Sequence, residues 1–238
     1  MTRIWVINPN TTRAMTSTIE ACARVVAGDG VDVTGVTNEF GPPSIESHYD
    51  EAMSVPGLLA AIQRGEQAGV DGYVIACFGD PGLDAARELA AGPVIGIAEA
   101  AMHTASHLGR GFSIVTTLGR TIGRAAELAQ RYGMSHFCRG YHACEIPVLD
   151  LETDPTALKL VTEACRDAVE ADGSDAIVLG CAGMADMCAH ISAEIGVPVV
   201  DGVTAATLTV QSLVRMGLRT GKRGEYAAPP AKEYVENA

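Results

Sequence analysis

The chain has 238 residues, 47% of them hydrophobic, 19% charged and only 5% aromatic, with a formal net charge of −12. That length can bury roughly three quarters of its extended surface in one or two domains. The acidity is scattered as on a solvated surface, which argues against nucleic acid as a partner.

Short apolar runs alternate with helical patterns, as in a parallel sheet with crossover helices. A first strand is expected over 4–7, ending in the polar turn Asn8-Pro9-Asn10-Thr11-Thr12, with a helix near 13–27 after it. A second strand at 31–36 leads into 40–50 (FGPPSIESHYD). This connection is too long and irregular for a minimal turn and reads as a lid or pocket wall. Helix 52–68, strand 73–76, helix 83–91 and strand 94–97 complete a set of four strands. The order then repeats: helix 99–107, strand 112–115 with its turn Thr116-Thr117, helix 122–132 and a weak strand at 137–144. Helix 155–171, strand 177–180, helix 184–194 and strand 197–200 follow, then a last helix at 204–216. The segment 220–238, rich in Gly, Pro, Lys and Glu, is expected to wrap or fray. The fold class is α/β, with two similar lobes, each a four-stranded parallel sheet flanked by helices. The first lobe is expected over 1–97, completed by 206–238, and the second over 98–205. Ligand is expected beyond the carboxyl ends of the strands.

The strongest signal is internal. Residues 66–79 (EQAGVDGYVIACFG) and 170–183 (EADGSDAIVLGCAG) align at a constant offset of 104 residues. They share Glu66/Glu170, Gly69/Gly173, Asp71/Asp175, Val74/Val178, Cys77/Cys181 and Gly79/Gly183. Each copy reads as a helix end, a Gly turn, a buried strand and Cys-x-Gly. A single cysteine in such a corner is most simply a small buried hydrophobe. Two in equivalent places of a duplicated unit point instead to a two-sided site. Asp80-Pro81 reads as a helix N-cap with proline at the first helical position. A helix end of that kind lowers the pKa of a nearby thiol from about 8.5.

The seven cysteines include no CxxC pair, and the six histidines are not at metal-ligand spacing with them. There is neither a GxxxxGK[ST] loop nor a GxGxxG after the first strand, so phosphate and dinucleotide binding lack support. The three lysines, Lys159, Lys222 and Lys232, fall in a helix and the tail, away from any aldimine role. GxSxG is missing too. The apolar run at 4–7 is too short for a signal-peptide core, and no segment approaches membrane-span length. A reducing cytoplasm with free thiols, no membrane and no cofactor is the expectation.

The motifs INPNTT at 7–12, FGPPSIESHYDEA at 40–52, ACFGDPGLDAARE at 76–88 and VLGCAGMA at 178–185 together resemble the hydantoin racemase family. That family includes allantoin racemases and lies within the aspartate/glutamate racemase superfamily. The resemblance implies two lobes related by pseudo-twofold symmetry, with the site between them. It also implies two cysteines flanking the substrate, Cys77 and Cys181 here, and no cofactor. One thiolate takes a proton from C5 while the opposite thiol returns one. Superfamily members acting on free amino acids typically carry Cys-Asn-Thr and Gly-Cys-Thr at these places. Here Cys77-Phe78-Gly79 and Gly180-Cys181-Ala182-Gly183 stand instead, which favours a cyclic ureide, an allantoin or a 5-monosubstituted hydantoin. Ser47-His48 departs from a more glycine-rich lid and leaves the pocket's size open. The expected substrate contacts are Asn10, Phe40, Ser44, Ile45, Phe78, Gly79, Thr116, Thr117, Ala182 and Gly183. Alternatives are an amino-acid racemase, an arylmalonate-type decarboxylase, a maleate-type isomerase or a two-lobed binding protein. Assembly into a homo-oligomer is expected.

Overall fold

The computed structural model describes residues 1–233. Among them the expected strands all form: β1 (Thr2–Asn8), β2 (Val31–Thr37), β3 (Gly72–Ile75) and β4 (Val94–Gly96), then β5 (Phe112–Thr116), β6 (Cys138–Ala143), β7 (Ala176–Leu179) and β8 (Val199–Val200). They make two four-stranded parallel sheets in the orders β2-β1-β3-β4 and β6-β5-β7-β8, so the second sheet repeats the first. The helices are α1 (Arg13–Val26), α2 (His48–Ala68), α3 (Leu83–Leu89), α4 (Ile97–Ser106), α5 (Ile122–Arg131), α6 (Asp150–Thr153), α7 (Ala157–Asp172), α8 (Cys188–Ile195) and α9 (Gly202–Arg215).

Strand alternation divides the apolar residues between layers. Ile4, Val6, Val74, Ile114, Ala176 and Val178 join one central core with residues of α1, α4, α5 and α9. The opposite faces carry Ile7, Tyr73 and Ile75 under α2 and α3, and Val115, Ile177 and Leu179 under α7 and α8. Two helices cross between the sheets. After β4, α4 packs on β7 and β8 of the second sheet; after β8, α9 packs on β1, β3 and β4 of the first.

Much of the internal repeat serves the fold. Gly69 and Gly173 end α2 and α7 in the left-handed conformation, at φ 72° and 58°, where glycine carries no Cβ penalty. Asp71 Oδ2 accepts from the Arg3 amide at 2.8 Å, beside the start of β1. Asp175 Oδ2 accepts from the Arg110 and Gly111 amides at 2.8 and 3.0 Å, ahead of β5.

Three sequence expectations are corrected. The connection 40–50 is shorter, because α2 begins at His48: the Ser47 hydroxyl accepts from the Asp50 amide, and Asp50 and Glu51 sit in the favourable first turn. The helix expected at 184–194 is split into a 3₁₀ segment, Ala182–Met187, and α8. Asp80-Pro81 does not cap α3, which starts at Leu83 after a left-handed Gly82. The tail wraps over α3: Lys222 Nζ donates to the Arg87 and Glu88 carbonyls, and the Tyr226 hydroxyl to Asp84. The last part of that expectation, 234–238, lies outside the described residues.

A hydrogen bond to a charged group contributes about 1.5–3 kcal/mol to stability. Asp175→Ala, which strands two amides, should therefore destabilise the fold more than Asp71→Ala, which strands one. Urea denaturation of both variants checks the order.

Candidate active site

Cys77 and Cys181 follow the carboxyl ends of β3 and β7, and both line one cavity of about 180 Å³. That is smaller than the roughly 300–1,000 Å³ typical of drug-sized sites, so a small ring suits it. Ala76, Phe78, Gly79 and Gly180, Ala182 surround the thiols. Asn10, Met15, Ile45, Glu46, Ser47, His48 and Glu51 line the wall from the first half of the chain. Thr116, Thr117, Arg120, Thr121, Arg124, Ala125 and Val148 line it from the second.

The turn after β1 is knit from within. Buried Asn8 donates from Nδ2 to Asn10 Oδ1 at 2.8 Å and to the Thr16 hydroxyl at 3.1 Å. Asn10 Oδ1 in turn accepts from the Thr12 amide at 2.9 Å. The 40–47 loop is tied to this turn: the Thr11 amide donates to the Pro42 carbonyl at 3.0 Å and the Thr12 hydroxyl to that of Pro43 at 2.7 Å. On the opposite side the Thr116 hydroxyl bonds Thr121 at 2.8 Å and the Gly180 carbonyl at 3.3 Å. A Cβ on Gly180 would stand 2.9 Å from the Thr116 Cβ, so the strand before Cys181 accepts only glycine without movement.

Asp80 holds the Cys77 turn. Its backbone is left-handed at φ 45°, and its carboxylate accepts from the Ala98 and Glu99 amides, each at 3.0 Å. It thus caps α4, a helix whose own N-cap is Gly96, and also accepts from the Tyr132 hydroxyl at 2.7 Å. Burial pushes Asp80 up to about 6, against the donors that favour its charge. A Cβ on Gly96 would come within 2.2 Å of the Asp80 Cγ.

Both thiols are raised rather than lowered. Burial pushes Cys77 up to about 12; the Gly79 N–H opposes this, while Cys181, Glu51 and Asp80 add to it. Burial also pushes Cys181 up to about 12, opposed by the Gly183 N–H and reinforced by Cys144 and Glu46. The expectation of lowered thiols fails because α3 starts too late to present its end to Cys77, and desolvation outweighs the one amide at each sulfur.

Asn10, Ile45, Phe78, Gly79, Thr116, Thr117 and Ala182 are brought together on the cavity wall. Three expected contacts stand off it. Phe40 is 58% exposed on the outside of its loop. The Ser44 hydroxyl turns to Glu46 Oε2 at 3.3 Å. Gly183 is buried behind Ala182, against Leu151. Sequence reasoning missed Glu46, Glu51, Arg120 and Arg124. Glu46 and Glu51 belong to the 40–52 motif, but nothing local marks the arginines.

A model of the Asp/Glu/Hydantoin racemase family matches residues 4–210. The chain belongs to this family. It is 47% identical to a hydantoin racemase of Rhizobium meliloti, over 96% of this chain and 95% of that one. A hydantoin racemase from a Pseudomonas species is 45% identical over 98% and 94%. The solved allantoin racemase from Klebsiella pneumoniae is 52% identical, covering 99% of this chain and 97% of its own, with a TM-score of 0.97. The α/β architecture of this racemase-family chain is thus matched along nearly its whole length.

Thiols raised by burial are mostly protonated at neutral pH, and the small thiolate fraction grows as pH rises. Iodoacetamide modification of Cys77 and Cys181 should climb about tenfold per pH unit between pH 7 and 9. A plateau near pH 8.5, followed by peptide mapping, would contradict burial as the governing effect.

Proposed function

We propose that the chain is a cofactor-independent racemase that interconverts the enantiomers of 5-monosubstituted hydantoins or allantoin by proton transfer at C5. The observation that carries this is the placement of two thiols at equivalent strand ends on one small cavity. The hydantoin and allantoin racemases to which the chain is similar support the substrate class.

Racemisation removes a proton from one face of a carbon and returns one to the other. With Cys77 as thiolate and Cys181 as thiol, Cys77 takes the C5 proton and Cys181 supplies its own from the opposite face. The enzyme is left with the roles reversed, ready for the other enantiomer. Reacting atoms approach to about 3–3.5 Å, so this mechanism requires the sulfurs to stand roughly 6–8 Å apart around the ring. The carbanion delocalises into the neighbouring ring carbonyl, for which the Asn10 side chain and the Thr116-Thr117 turn are the donors at hand. A hydantoin C5–H is more acidic than an amino-acid α-proton, which suits thiols that ionise reluctantly. Phe78 and Ala182 beside the sulfurs offer no partner for an α-ammonium or α-carboxylate. Among the described residues no cluster of three His, Cys, Asp or Glu is placed to hold a metal.

Polarimetry in deuterated water on single enantiomers of allantoin, benzylhydantoin and isopropylhydantoin, with glutamate as control, tests the proposal. Cys77→Ser and Cys181→Ser should each lower racemisation by about 10²–10⁴-fold, the scale of acid/base catalysis. Full activity in either variant would sink the two-thiol mechanism. Turnover should also survive exhaustive chelation without pyridoxal phosphate; loss on chelation would reveal a required metal.

A further inference from the structure

The repeat places its two thiols alike, but their flanks differ. The point where a Cβ on Gly79 would stand lies 3.4 Å from Glu51 Oε2 and 3.9 Å from Cys77 Sγ. Carboxylate and sulfur are therefore no farther apart than those distances combined, about 7.3 Å. The same point on Gly183 meets Leu151 Cδ1 at 3.2 Å, with Cys181 Sγ and the Met15 methyl each at 3.7 Å. At these equivalent points one thiol's flank meets a carboxylate and its counterpart's meets hydrocarbon, Glu46 acting on Cys181 from elsewhere.

That carboxylate is held. Arg124 Nη2 donates to Glu51 Oε1 at 2.6 Å and to the Gly79 carbonyl at 2.8 Å. The two side chains are only 26% and 20% exposed, so solvent screens the pair weakly. Arg124 Nε is buried without an acceptor, a desolvation cost that an exposed ion pair would not carry. Arg124 comes from α5, whereas Glu51 is on α2 and Gly79 follows β3, so the contact joins the two halves of the chain beside Cys77. Glu51 faces Arg124 and Glu127 of α5 and His48 of its own helix. Cys77 faces Cys181, Glu51 and Asp80, and Arg120 also reaches the cavity wall. Cys181 faces Cys144 and Glu46.

We infer that Arg124 is a positioning residue for Cys77 and not for Cys181. It neutralises Glu51, which otherwise opposes a negative sulfur, and it fixes the Gly79 carbonyl in the turn that carries that sulfur. The consequence for turnover rests on the proposed racemase reading; the consequence for thiol chemistry does not.

The test is the rate of iodoacetamide modification of each thiol in the full chain at about pH 8.5, resolved by peptide mass spectrometry. A neighbouring charge at this range changes the thiolate fraction by about three- to tenfold. Arg124→Gln should slow modification of Cys77 by that factor and leave Cys181 near its original rate. Glu51→Gln should accelerate Cys77, and the double variant should return close to the parent. Arg124→Lys, which keeps the charge, should lie between the parent and Arg124→Gln. Continued protection of buried Cys165 shows that a variant is folded. If Arg124→Gln does not fold, Glu51→Gln and Arg124→Lys still decide the matter. Glu51→Gln failing to accelerate Cys77, both single changes moving Cys77 in one direction, or Cys181 moving in step with Cys77 would overturn the inference. Enantiomers have equal free energies, so kcat/KM in Arg124→Gln must fall equally in both directions and recover in the double variant. A parent chain that racemises nothing yet keeps the charge-ordered thiol rates would refute the racemase reading and leave Arg124's role standing.

Discussion

The apolar seam between the two sheets is the constraint on which the molecule depends. A parallel sheet must be covered on both faces, and here the inner covers, α1, α4, α5 and α9, form one shared core. Because α4 and α9 each leave one sheet to pack on the other, neither sheet can shift without dragging the other's cover. This shared layer sets the carboxyl ends of β3 and β7 around a common cavity, and the two thiols follow from that placement.

Symmetry of the backbone does not extend to the chemistry beside it. On one side, Asp80 anchors the turn to α4 and Tyr132, and Arg124 clamps it from above. On the other, Thr116 and a closely packed Gly180 do the work with neutral groups, while Glu46 is occupied by the Val148 amide at 2.7 Å. A catalyst for mirror-image substrates needs equal overall constants in the two directions. It does not need identical acids and bases. The ionic bracket and the neutral one are two local solutions to holding a half-buried thiol still.

The inner strands were legible because burial on both faces leaves continuous apolar runs, as in Val74-Ile75-Ala76 and Ile177-Val178-Leu179. β6 is an edge strand with partly exposed residues, and its pattern was correspondingly weak. The start of α2 was hidden because its cap and first turn, Ser47 to Glu51, are polar and show no apolar period. Asp80-Pro81 looked like a local cap, yet its carboxylate caps a helix 18 residues farther along. Local patterns cannot report such a bond. The paired cysteines were legible through duplication. The Glu51–Arg124 contact spans 73 residues and was not, since Arg124 read as an ordinary charge on a helix and nothing in the 40–52 motif pairs Glu51 with it. Phe40 and Ser44 shared a motif with cavity residues, but a loop has two sides and the motif does not say which faces in.

The exchanged helices also bear on how the chain is made. A nascent chain that has reached Ser106 holds all four strands of the first sheet but lacks α9, the helix that packs on β1, β3 and β4. Its α4 meanwhile waits for β7 and β8, which have not yet been synthesised. Apolar surface on that half stays open until residues 202–215 emerge, so vectorial synthesis does not let it close first. Cutting the chain between the sheets would leave each fragment with a helix that belongs to the other. Two such fragments should find each other from solution, because each carries the missing cover of its neighbour.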